Sequence, residues 1–198
     1  MAKQNNRIII FGFSGAGKST LADMLGSSLN LRVVHPSSIL QQLLLNEKID
    51  RKNTKAGDGF WETSIGKRLL KSRLNQKSPK DLICDEILLK ELKKGKVIMD
   101  SWNMPWLYKG KAVRIYLKAN LKDRVDRVSR RSGITKAAAL SSISDKDNET
   151  RKMFQRIYGI DIKKDIEVFD LILNTSSLTR KSVLHSTLKF INKKGTDK

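Results

Sequence analysis

The run Gly12-Phe13-Ser14-Gly15-Ala16-Gly17-Lys18-Ser19-Thr20 constrains this chain more than any other, because the apolar stretch Arg7 to Phe11 leads straight into it. An apolar strand, a glycine-rich loop and a helix starting near Lys18 together make a phosphate-binding unit. The backbone N–H groups of such a loop converge on a phosphate, and the helix adds the positive end of its dipole. The sequence therefore predicts that Gly12 through Thr20 bind a nucleoside triphosphate. Lys18 is expected to face its β/γ-phosphates, and the Ser19 hydroxyl to ligate Mg²⁺.

The rest of the chain repeats the alternation that this unit begins. Short β-rich runs lie at Arg7 to Phe11, Leu31 to Val34, Lys96 to Met99, Ala112 to Leu117 and Asp170 to Leu173, with a helical stretch between each and the next. That pattern predicts an α/β fold, a parallel sheet covered by helices on both faces, within a single domain over residues 1–198. Boundary signals agree with it. Ser78-Pro79 puts a cap before a proline at the first helical position, Gly95 ends the helix before the third strand, Asn120 caps the next helix and Gly133 ends it. Residues 192–198 lack apolar periodicity and read as a frayed tail. Sheets of this kind bind ligands outside the carboxyl ends of their strands, which singles out the loops after Phe11, Val34, Met99, Leu117 and Leu173.

Composition narrows the class. With 39% hydrophobic and 30% charged residues in 198, the chain is globular rather than disordered. Lys and Arg number 40 against 20 Asp and Glu, a net +20 that favours polyanionic ligands. Nucleotides, nucleic acid and anionic surfaces all satisfy it, so nucleic acid stands as an alternative partner. One cysteine, Cys84, excludes an internal disulfide and points to a reducing compartment, with a core position as its expected place. The N-terminal apolar run is too short for a signal segment or a membrane span, so a cytoplasmic protein with no membrane partner is expected.

Several residues carry candidate chemistry beyond the loop. Asp100 ends the third apolar run and suits a carboxylate that holds Mg²⁺, the rival reading being a turn cap. Trp102 and Trp106 flank Pro105; core packing is favoured over base stacking. From Lys109 to Lys136 there are ten basic and two acidic residues. Within it Arg124, Arg127 and Arg131 follow at i, i+3 and i+7, one face of a helix that either clamps a transferring phosphoryl group or is a solvated basic surface. His35 reads as a turn residue before Pro36 rather than as part of an acceptor site, and His185 as structural.

Four segments resemble the cytidylate kinases in their short archaeal-type form. They are Gly12 to Thr20, the Arg-rich stretch Leu117 to Thr135, Arg151 to Asp161 with its Tyr-Gly-Ile-Asp, and Phe169 to Ser176 with its Asp-Leu-Ile-Leu-Asn-Thr-Ser. The resemblance implies a P-loop NTPase fold of the nucleoside monophosphate kinase type, with a five-stranded parallel core and a small Arg-rich lid over ATP. It implies an acceptor-side helical insert over 46–77 and a lid over 129–151. It also carries Arg131 and Arg151 to lid positions and lets Lys146 stand in for a further basic residue. The chain departs from similar kinases on the acceptor side. Ser38 and Gln41 replace an Asp and an Arg after the second strand, while Trp102 and Met153 each stand where an Arg is usual.

These readings combine into an ATP- and Mg²⁺-dependent phosphotransferase acting on a small nucleotide acceptor, CMP or dCMP, with a diverged acceptor pocket. Lys18, Arg127, Arg131 and Arg151 are its expected catalytic residues, and Ser19 and Asp100 its metal residues. No general base is evident, and an ionised monophosphate oxygen needs none. Two alternatives stand beside it: a P-loop NTP-binding protein coupled to RNA or ribosome binding, and a kinase of nucleosides or RNA 5′ ends.

Overall fold

A computed structural model describes residues 7–50, 59–72 and 79–196 of the chain. Five strands, β1 (Arg7–Phe11), β2 (Arg32–Val34), β3 (Val97–Asp100), β4 (Val113–Lys118) and β5 (Leu171–Asn174), form one wholly parallel sheet in the order β2-β3-β1-β4-β5. The helices are α1 (Lys18–Leu29), α2 (Pro36–Leu44), α3 (Ser64–Ser72), α4 (Pro79–Lys94), the short α5 (Met104–Leu107), α6 (Leu121–Ser132), α7 (Lys136–Tyr158) and α8 (Arg180–Thr196).

β1 shows why the sheet must be covered twice. Its alternate side chains enter different cores: Ile8 and Ile10 pack with Leu21 and Leu25 of α1 and Val183 and Ile191 of α8, while Ile9 packs with Ile39 of α2 and Leu88 and Leu92 of α4. Phe11 enters a third, aromatic cluster with Trp106, Tyr116 and Phe154. Ile8 through Phe11 are at most 1% exposed, and each such side chain stabilises the fold by about 1.5–3 kcal/mol. As expected, Cys84 is a buried core residue.

The α/β alternation is as the sequence predicts, with strand limits displaced by about a residue. β3 begins at Val97 rather than Lys96 because Gly95 and Lys96 both take left-handed backbone (φ 77° and 49°) and turn the chain into the sheet. Asn120 caps α6 by accepting from the Asp123 N–H at 2.9 Å, and Gly133 ends it with φ 62°. Ser78 lies outside the described residues. The expected tail needs correction, since α8 continues to Thr196. Ile191 anchors it in the core, and Lys193 and Lys194 lie in its last turn, where positive charge complements the helix dipole.

The segment read as a lid, 129–151, comprises the end of α6, the bend at 133–135 and most of α7, within a helical hairpin. Thr135 caps α7 by accepting from the Ala138 N–H, and Val125 and Val128 of α6 pack against Ala139 and Ile143 of α7. α7 then runs on into the aromatic cluster through Met153 and Phe154. Of the segment read as an acceptor-side insert, residues 51–58 and 73–77 lie outside the described residues; the remainder includes a 3₁₀ turn at Phe60–Glu62 and α3.

Candidate active site

The loop after β1 is shaped by its neighbours as much as by its own sequence. A side chain on Gly12 would place its Cβ 2.6 Å from the Leu117 carbonyl oxygen at the end of β4. Gly15 has φ 78°, and a Cβ there would stand 2.8 Å from the Arg124 carbonyl oxygen on α6. Only glycine lets β4 and α6 approach the loop this closely. The loop opens into a cleft of about 630 Å³ lined by Ser14 through Thr20.

At the mouth of the loop four side chains form a continuous chain of contacts. The Ser19 hydroxyl donates to Asp100 Oδ2 at 2.5 Å. Asp100 Oδ1 lies 2.9 Å from Nδ1 of His35, whose Nε2 lies 3.0 Å from Asp23 Oδ1. Asp100 is buried at the end of β3, opposite Ile10 of β1, which brings it beside the loop. Burial works against a protonated His35, but the Asp100 hydrogen bond and charge, with Asp23, more than offset it and raise its pKa above the ordinary value. Sequence reasoning missed this histidine. It does precede Pro36 at the start of α2, as expected, yet it is 2% exposed with both ring nitrogens engaged.

Lys18 reaches back over its own loop, its ammonium 3.4 Å from the Phe13 carbonyl oxygen and 5.2 Å from the centre of the Trp102 ring. Desolvation lowers its pKa to about 8 although Asp100 acts in the opposite direction; the charges of Lys146 and Arg131 lower it further. A polyphosphate is the ligand that would relieve this crowding of cations.

The three arginines of α6 do different things. Arg124 bonds Asp147 of α7 at 2.5 Å and the Ser14 carbonyl at 3.2 Å. Arg127, expected to clamp the phosphoryl group, donates to the carbonyls of Gly15 (3.3 Å), Ala16 (3.5 Å) and Thr175 (2.6 Å) and to the Thr175 hydroxyl (3.1 Å). Its guanidinium lines the cleft while holding the loop's backbone to the start of the β5–α8 connection. Arg131 also lines the cleft and pairs with Glu62 of the 3₁₀ turn at 3.1 Å. Lys146 lies 5.7 Å from the Trp61 ring centre in the same turn. Arg151, also expected to be catalytic, is not among the residues lining the cleft, and its guanidinium bonds Asn148, one turn back on α7.

The other half of the cleft has a different character. Trp102 and Met153 both line it, and both belong to the aromatic cluster around Phe11, so the packing reading of Trp102 and Trp106 holds. Gln42, beside Gln41 on α2, accepts from the Asp50 N–H at 3.1 Å. Buried Asp81 and Asp85 on α4 complete this wall. Asp85 accepts from Asn103 at 2.7 Å and from the Tyr158 hydroxyl at 3.0 Å, and burial together with Asp85 pushes the Tyr158 pKa well up.

A hydroxyl and a carboxylate side by side at a phosphate loop are hard oxygen donors of the kind Mg²⁺ takes beside substrate phosphates. Among the described residues no group of three His, Cys, Asp or Glu could hold a metal alone. None of the described helices is long and apolar enough to cross a membrane.

Loop, sheet order and basic hairpin define the class: a P-loop kinase, a phosphotransferase of the nucleotide kinase type. The chain belongs to the cytidylate kinase-like family, whose profile matches residues 7–177. It is 30% identical over 187 residues to a cytidylate kinase of Ignicoccus hospitalis, covering 93% of this chain and 98% of that one. To a cytidylate kinase of Sulfolobus acidocaldarius it is 33% identical over 191 residues, covering 95% of each. Among solved structures it resembles a shikimate kinase from Acinetobacter baumannii (TM-score 0.56, 14% identity, 96% of this chain and 95% of that one). It also resembles a deoxyadenosine kinase from M. mycoides (TM-score 0.54, 14% identity, 94% and 99%), and at these identities the likeness is one of fold.

Proposed function

We propose that this chain is a cytoplasmic nucleoside monophosphate kinase that transfers the γ-phosphoryl group of Mg-ATP to CMP or dCMP. The observation that carries the reading is the Ser19–Asp100 contact beside Lys18, because it assembles a cation, a hydroxyl and a carboxylate where a bound triphosphate would lie. In this reading the backbone N–H groups of Gly15 through Thr20 cradle the β-phosphate, and Lys18 neutralises the β/γ-oxygens. Ser19 and Asp100 would hold Mg²⁺, which would supply charge neutralisation to the polyphosphate. Arg131, with Lys146 beside it, meets the charge that develops on the transferred group, while Arg127 keeps the loop in shape. A monophosphate oxygen attacks already ionised, so no proton needs to be removed and no catalytic base is required.

A second reading has its own support on the acceptor wall. Trp102 and Met153 line this wall at positions where the resemblance leads one to expect arginine, Gln41 is a third such position on α2, and buried Asp81 and Asp85 line the wall as well. Such a wall suits an uncharged hydroxyl acceptor better than a dianion. Transfer from γ-labelled ATP to a panel of ribo- and deoxyribonucleoside monophosphates, nucleosides and RNA 5′ ends decides between the two. Label on CMP or dCMP is the expected result; label only on nucleosides or RNA ends replaces the acceptor. RNA bound with steep salt dependence, and no transfer at all, would move the chain to the class of NTP-gated binding proteins suggested by its +20 charge.

A further inference from the structure

We propose that His35 is a positioning residue for the donor site, fixing the Asp100 carboxylate against Ser19 and so setting the affinity for the divalent ion. This rests on the reading above in which Ser19 and Asp100 hold that ion.

The argument is geometric. A carboxylate at the end of a strand is free to rotate about its Cβ–Cγ bond unless both oxygens are engaged. In Asp100 they are engaged by different partners, Oδ2 by the Ser19 hydroxyl and Oδ1 by His35 Nδ1. The imidazole is itself held on its far side, where Nε2 meets Asp23. Asp23 and Ser19 are four residues apart on α1, and so lie on one face of that helix. The contacts thus form a closed ring that leaves α1 at Ser19, crosses to the end of β3, passes to the end of β2 and returns to α1 at Asp23. Rotation of Asp100 would break a bond in this ring, and so would displacement of the first turn of α1 from the sheet. His35 touches neither nucleotide nor metal in this scheme, and it acts through Asp100. Partners of metal ligands in this position change metal affinity on the order of 10–100-fold when removed.

Two near-isosteric substitutions separate this role from simple packing. His35→Asn keeps an N–H donor close to the Nδ1 position, toward Asp100; His35→Gln keeps one close to Nε2, toward Asp23. The measurement is Mn²⁺ binding, by electron paramagnetic resonance, to the full chain carrying a non-hydrolysable ATP analogue, alongside binding of the same analogue without metal. His35→Gln is expected to weaken Mn²⁺ by about tenfold or more, and His35→Asn to recover most of the loss. Metal-free analogue binding should stay near the parent value in both. Unchanged Mn²⁺ affinity in His35→Gln overturns the proposal, as does an Asn variant no better than the Gln variant, or a parallel loss of metal-free analogue binding. Should His35→Gln not fold, Asp23→Ala, at a half-exposed surface position, serves instead; it must weaken Mn²⁺ too, and unchanged affinity there overturns the proposal. Mn²⁺ binding needs no turnover. Absence of transfer to every acceptor would therefore defeat the kinase reading while leaving this one standing.

Discussion

The two halves of the cleft were built under different constraints. On the donor side nearly every polar group is tied to another element: Ser19 to Asp100, His35 to Asp23, Arg127 to Gly15, Ala16 and Thr175, and Arg124 to Ser14 and Asp147. The acceptor side is made of aromatic and acidic side chains, Trp102, Asp81, Asp85 and Tyr158, arranged around one another. A triphosphate is a fixed array of charge and demands a fixed array of donors, whereas an acceptor wall can change its chemistry without disturbing the fold. The family match spans both halves of the cleft, residues 7–177, and the departures expected from the sequence concern the acceptor.

The sharpest way to break that contrast is at Lys18. In the proposed scheme Lys18→Ala removes the cation facing the β/γ-phosphates, and it is expected to cut turnover by more than roughly 10²-fold, taking oriented electrostatic donors as the guide. Steady-state transfer assays check it, and unchanged turnover would remove Lys18 from the catalytic scheme. The lowered pKa of the same residue, about 8, gives a pH test. Above that value the free enzyme holds a neutral amine, so kcat/KM for ATP should fall about tenfold per pH unit, while Lys18→Arg should show no such fall between pH 7 and 10.

The arginines come next in size. Arg127→Ala removes a donor from the carbonyls of Gly15 and Thr175, the second of which keeps the Leu178 N–H, and is expected to cost about 1–3 kcal/mol in stability and to weaken ATP binding. Arg131→Ala should instead lower kcat more than it raises the ATP dissociation constant, since its charge is needed most in the transition state. Thermal unfolding and nucleotide titration of both variants distinguish the loop holder from the phosphoryl clamp. Equal effects of the two variants on stability would erase the distinction.

On the acceptor side a gain is the informative outcome. Gln41→Arg places a bidentate phosphate donor on α2 and is expected to lower KM for CMP several-fold while leaving KM for ATP alone. A change confined to ATP would mean that the two halves are not independent. The smallest effect is expected at Arg151, whose guanidinium is occupied by Asn148 outside the cleft. Arg151→Ala should stay within about 0.5 kcal/mol of the parent in stability, with turnover close to unchanged. A large loss of turnover would show that α7 turns this residue inward during the reaction.

What could be read from the sequence alone were the features whose physics is local. Gly12, Gly15 and Gly17 at fixed offsets from an apolar strand announce a phosphate loop because backbone N–H geometry is set within a few residues. The 3.6- and 2-residue periodicities, Asn120 and Gly133 mark elements for the same reason, and together they determine an α/β fold with a nucleotide at the end of β1. The partners of individual polar side chains were decided only by tertiary structure. His35, read as a turn residue, joins Asp23 and Asp100 across 12 and 65 positions of chain. Arg127, read from its helical spacing, lies against loop carbonyls more than a hundred residues away, and Arg151, placed by the resemblance, lies against its own helix. A charged side chain is satisfied by whatever the fold brings within about 3 Å of it, and that partner carries no signature in the neighbouring sequence.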